Sequence, residues 1–86
     1  MKMPPDNDLV AALERDLNDK YGPLIANDAL RAALGYPSMH AFRQALVRRT
    51  VPVPVFALEN RRGKYALVKD IATWLAAQRN AAATKG

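Results

Sequence analysis

Between positions 43 and 64 the chain carries Arg43, Arg48, Arg49, Arg61, Arg62 and Lys64, opposed only by Glu59. Cations at that density face polyanions, and the arginine fork can meet a phosphate or a guanine edge in two places. Gln44, next to Arg43, can bond an adenine edge in the same two-point manner. Acid–base and metal chemistry have less to work with. The chain has one histidine, His40, with no carboxylate close to it in sequence, and no cysteine. The absence of cysteine removes disulfides, thiolate metal sites and thiol nucleophiles together. No metal, no cofactor and no enzyme activity are therefore expected, and His40 is read as a groove or surface residue.

The net charge of +5 is unevenly spread. Residues 1–20 hold Lys2, Arg15 and Lys20 against Asp6, Asp8, Glu14, Asp16 and Asp19, three minus five, or −2, which leaves +7 for the remainder. A chain of 86 residues forms one small core that buries roughly 60–65% of the unfolded surface, too little for an elaborate enzyme. No apolar run approaches the ~18 residues of a membrane span, and "MKMPPDNDLV" lacks the hydrophobic stretch of a secretory signal. A cytoplasmic protein is expected.

The elements that must position these cations follow from periodicity and punctuation. Leu9, Val10, Leu13 and Leu17 recur on one face of a helix from Asp6 or Asn7 to about Lys20, stopped by Tyr21-Gly22-Pro23. "ANDALRAALG" reads as a two-turn helix begun at Ala26 or Asn27, favoured by Asp28 at its positive end and closed by Gly35, with Leu30 and Leu34 inward. After "GYP", Ser38 caps a third helix from about Met39 to Arg49, whose inner stripe is Phe42, Ala45 and Leu46. Pro52 and Pro54 then forbid helix, and "VFAL" and "KYAL" suggest two short strands joined by "ENRRG", with Asn60 and Gly63 supplying the turn. "VKDIATWLAAQRN" is a fourth amphipathic helix with Val68, Ile71, Trp74 and Leu75 inward. The expected organisation is an amphipathic N-terminal helix over 1–20, a domain over 21–79 and a flexible tail over 80–86. The fold class is mainly α with a small β-hairpin.

Helix, tight turn, polar-faced second helix and basic-tipped hairpin in that order make a winged helix-turn-helix with an extra N-terminal helix. From Tyr21 to Arg79 the chain resembles the phage and mobile-element regulators with an excisionase-type, MerR-like winged helix, the AlpA-like activators among them. "LRAALGYPSMHAFRQALVRRTVPVPVF" is similar to their helix, glycine, serine-capped recognition helix, basic doublet and Pro-Val-Phe. "VKDIATWLAAQR" is similar to their closing helix. "ALERDLNDKYGPLI" resembles the apolar helix ending in Tyr-Gly that the pyocin-activator family places ahead of the motif. Ala41 and Ala45 depart from the threonine and aromatic frequent at those positions. The resemblance implies a bacterial, nucleoid-associated DNA-binding regulator. The chain lacks the long dimerising helix and effector site of MerR-type sensors, so no small-molecule effector is expected.

On this reading Met39, His40, Arg43, Gln44 and Val47 face outward into a major groove, with Arg43 and Gln44 reading bases. Ser38 caps the helix beside phosphate, Arg48 and Arg49 meet the backbone at its far end, and Arg61, Arg62 and Lys64 reach the backbone or minor groove from the wing. The partner is double-stranded DNA, bound by a homodimer or higher assembly, with Leu9, Leu13 and Leu17 either an interface or part of the protein's own core. In the alternative reading those leucines dock another protein and the chain is an adaptor. An RNA-binding role is disfavoured, since there is no exposed aromatic sheet and no Gly-x-x-Gly clamp.

Overall fold

The computed structural model describes residues 5–85, and the side chains of residues 8–82. Its elements run α1 (Pro5–Tyr21), β1 (Leu24–Ala26), α2 (Asn27–Leu34), α3 (Met39–Arg48), β2 (Tyr65–Leu67) and α4 (Val68–Lys85). The described chain is mainly helical, with four helices and one two-stranded antiparallel sheet. No helix among the described residues is long and apolar enough to cross a membrane.

Local chemistry sets most boundaries. α1 ends where Gly22 takes φ 81° and its N–H donates to the Asn18 carbonyl at 2.8 Å, after which Pro23 prevents continuation. α2 follows an extended Ala26 and stops at Gly35, whose N–H reaches the Ala32 and Arg31 carbonyls and whose φ of 89° turns the chain so that the Tyr36 N–H also donates to the Arg31 carbonyl at 3.1 Å. Ser38 caps α3 by accepting from the Ala41 N–H at 3.1 Å. At the other end of α3, Arg49 takes the left-handed cap position at φ 59°, ψ 41°. α4 continues to Lys85, beyond the end expected near Asn80, because the alanine-rich segment suits a helix once the first turns are anchored.

The sheet departs from the expected hairpin. β1, unforeseen in sequence, pairs with β2 in the register Leu24–Leu67, Ile25–Ala66 and Ala26–Tyr65. "VFAL" contributes only one bridge, Phe56 with Tyr65, whose two reciprocal N–H to C=O bonds are each 2.8 Å. Antiparallel hydrogen-bonded pairs recur at every second residue, so the next rung back would need an N–H from Pro54, which has none. The next rung forward would use Leu58, whose carbonyl already accepts from the Arg61 N–H at 3.2 Å in the turn. The pairing therefore stays at one residue.

Phe42, Ile25, Leu30, Ile71 and Val68 are the largest fully buried side chains. Leu34, Val53 and Ala66 complete the cluster, with Leu17, Met39, Leu46, Trp74 and Leu75 packed around it. The Tyr36 ring lies 5.6 Å from that of Phe42, a tilted aromatic pair. Because β1 and β2 are antiparallel, α1 leading in and α4 leading out run side by side, and α1 packs along α4. Leu9, Val10, Leu13 and Leu17 are all half-buried, and Leu17 packs against the central core. The molecule is elongated, 47 × 27 × 17 Å.

Candidate nucleic-acid interface

α3 buries one side and leaves the other unused by the fold. Phe42 is fully buried and Ala45 nearly so. At 100° per residue, His40, Arg43, Gln44, Val47 and Arg48 occupy an arc of about 140° whose middle lies opposite Phe42. All five are exposed and line one shallow hollow. Met39, expected on the same face, is half-buried and packs against the core instead. It lies two turns before Leu46, on the inward flank of the helix. Ser38 is exposed at the helix start, its hydroxyl engaged by the Ala41 N–H, and Arg49 is exposed just past the helix end.

The second group of cations sits on the loop between Phe56 and Tyr65. Arg61, Arg62 and Lys64 are exposed there, and the loop turns through Asn60 at φ 62° and Gly63 at φ 106°. Among the described residues, none of Arg43, Arg48, Arg49, Arg61, Arg62 and Lys64 forms an ion pair; the carboxylate–arginine pair of the fold is Asp28 with Arg31 at 2.8 Å. A surface that carries unpaired cations at both places keeps their full charge available to an anionic partner.

Asn27 and Tyr65, neither of which sequence reasoning assigned to the basic loop, give it its shape. Asn27 takes φ 50° as α2 begins. Its N–H donates to the Lys64 carbonyl at 3.1 Å, and its side-chain Oδ1 accepts from the Lys64 N–H, also at 3.1 Å. The amide side chain thus stands in for the main-chain carbonyl and adds one rung to the ladder beyond Ala26–Tyr65. A Cβ on Gly63 would meet Asn27 Nδ2 at 2.8 Å and Cγ at 2.9 Å, so the loop passes against the Asn27 side chain where only glycine fits. On the other side, the Tyr65 hydroxyl donates to the Arg62 carbonyl at 3.0 Å. The signal available in sequence was weak: asparagine tolerates positive φ, but its partner is 37 positions away.

Arg31 performs a similar task for the turn between α2 and α3. Its Nε donates to Asp28 and its Nη1 to the Tyr36 carbonyl at 2.7 Å. The hydrogen bond from Arg31, with its charge, holds the Asp28 carboxyl below its ordinary value of 3.8. Asp28 therefore adds stability that is present above that value and lost as pH falls through the lower folded one.

No protein-family model, curated protein or solved structure matches the chain, so its functional reading rests on its own residues and their arrangement.

Proposed function

We propose that this protein is a sequence-specific double-stranded DNA-binding regulator built as a winged helix-turn-helix, with α2 and α3 as the helix pair, α3 as the recognition helix and the basic loop from Ala57 to Lys64 as the wing. The observation that carries the reading is the outer face of α3. It is a helix whose core side is fixed by Phe42 and Ala45 and whose opposite side presents Arg43 and Gln44, the two side-chain types best suited to purine edges, beside a hollow that no part of the fold fills. Arg48 and Arg49 extend the charge to the helix end, and Arg61, Arg62 and Lys64 add a second, separately held set of phosphate contacts. The order of elements and the "SMHAFRQALVRR" helix fit the excisionase-type regulators of phages and mobile elements, whose DNA targets lie in the bacterial cytoplasm. One module covers only ~600–1,000 Å² of protein surface, so two or more copies act on repeated half-sites.

Selection of preferred duplexes from a randomised pool, followed by affinity measurements at about 150 mM salt, tests this directly. Arg43→Ala and Gln44→Ala each lower affinity for the selected site by ~1–3 kcal/mol and affect random DNA far less. A protein that enriches no sequence, or loses affinity equally for selected and random duplexes in both variants, has a different function.

A further inference from the structure

Val47 is 82% exposed, the most exposed large hydrophobic side chain among the described residues. It gives the fold nothing by burial, and a β-branched residue lowers helix propensity relative to alanine at the same place. Its neighbours in the hollow, His40, Arg43, Gln44 and Arg48, all carry hydrogen-bonding groups. Helix geometry sets Val47 inside that arc, with Arg43 on one flank and His40, Gln44 and Arg48 on the other. The apolar point thus lies within the outward face of the helix, flanked by groups suited to the polar edges of bases.

We propose that Val47 contacts the C5-methyl group of a pyrimidine in the major groove and so specifies one base position that no hydrogen bond reads. The inference rests on the DNA-binding reading and deepens it. The C5-methyl is the one apolar feature of the major-groove code. It belongs to thymine in unmodified DNA and to 5-methylcytosine in methylated DNA, and both present the same group to the same helix face.

The experiment starts from the selected duplex and exchanges each thymine in turn for deoxyuridine, which removes only the methyl, and each cytosine in turn for 5-methylcytosine, which adds it. Affinities are measured for the unaltered protein and for Val47→Ala. At one position per half-site, deoxyuridine weakens binding about fourfold, the equivalent of about 0.8 kcal/mol for one methyl removed from water. Val47→Ala weakens binding to the thymine duplex by a similar factor and no longer distinguishes thymine from deoxyuridine there. If 5-methylcytosine strengthens binding instead, and that gain vanishes in Val47→Ala, the methyl reading holds with methylated cytosine as its source. The variant folds, since alanine suits an exposed helical position better than valine, and its melting temperature checks this. A site that is selected strongly but is indifferent to every methyl exchange, or discrimination that survives in Val47→Ala, overturns the assignment and leaves DNA recognition standing. Failure to select any site overturns both.

Discussion

Asn27 allows the sharpest test of how the basic loop is held, because its contributions separate by substitution. Asn27→Ala removes the acceptor for the Lys64 N–H and puts a Cβ residue without Asn's local bonding at φ 50°. The lost bond is worth roughly 1 kcal/mol or less, since the freed N–H of exposed Lys64 can turn to water, and the left-handed backbone costs alanine roughly another 1 kcal/mol. The sum, about 1.5–2 kcal/mol, corresponds to a fall of about 10 °C in melting temperature for a domain of this size. Asn27→Gly loses the bond without the backbone cost and falls by about half as much, while Asn27→Asp keeps an acceptor and stays within about 0.5 kcal/mol of the original. Thermal and urea unfolding of the three variants decide the order. Binding supplies the functional half: Asn27→Gly lowers DNA affinity and the salt slope in the unaltered protein, and has no further effect once Arg61 and Arg62 are alanine. Equal destabilisation by Gly and Asp would refute the hydrogen-bond argument. An undiminished binding loss in the Arg61/Arg62 background would refute the claim that Asn27 acts through the loop.

Replacing Arg61 and Arg62 together by Ala weakens binding to selected and random duplexes alike, reduces the slope of log K against log salt by up to ~2, and changes stability by no more than about 0.5 kcal/mol, as read by titration at several salt concentrations and by melting. Arg49→Gly relieves a left-handed arginine and raises stability by roughly 1 kcal/mol, yet lowers DNA affinity with a salt slope shallower by about 0.9, so the two measurements move in opposite directions. Phe42→Ala removes the ring at the centre of the core, costs about 3–5 kcal/mol and leaves little cooperative unfolding in circular dichroism. Arg31→Met lowers the melting temperature more than Asp28→Asn, because it also frees the Tyr36 carbonyl, and the gap between unaltered protein and Asp28→Asn closes as pH falls below 3.8.

The parts legible in the sequence are those decided by neighbours a few residues apart. Gly35 and Ser38 punctuate α2 and α3 at the places the structure gives them, and the periodicity of Leu30, Leu34, Phe42 and Ala45 marks their buried sides. The outer residues of α3 follow from the same periodicity, except Met39, whose position one flank inward is visible only when it is set in line with Leu46. β1 was not legible, since "LIA" is three residues long, includes no run of strand formers, and becomes a strand only because β2 is brought beside it. The hairpin was over-read for a related reason. Val55 and Phe56 have the right propensity, but a ladder needs donors at every second residue, and the proline that stiffens the approach also withholds one.

The Val-Pro-Val-Pro-Val run thus has a role other than that of a hairpin strand. Val53 is buried while Val51 and Val55 are half-buried, and both prolines are exposed, so the segment lays its valines on the core and turns its prolines to solvent with period two. An extended segment with an apolar side and free N–H groups would be an open edge for pairing with another chain. Proline at alternate positions removes two of those donors and restricts φ at the same residues. The chain therefore crosses from the end of α3 to the Phe56–Tyr65 bridge, bending at Pro52 and Val53, without adding a strand to the sheet. Arg49 starts that crossing in a left-handed turn, with the Thr50 N–H bonded back to the Ala45 carbonyl at 3.0 Å, and Asn27 ends it by fastening Lys64 to the start of α2. Since α2 also packs on α3, both cationic groups are joined through the same pair of helices.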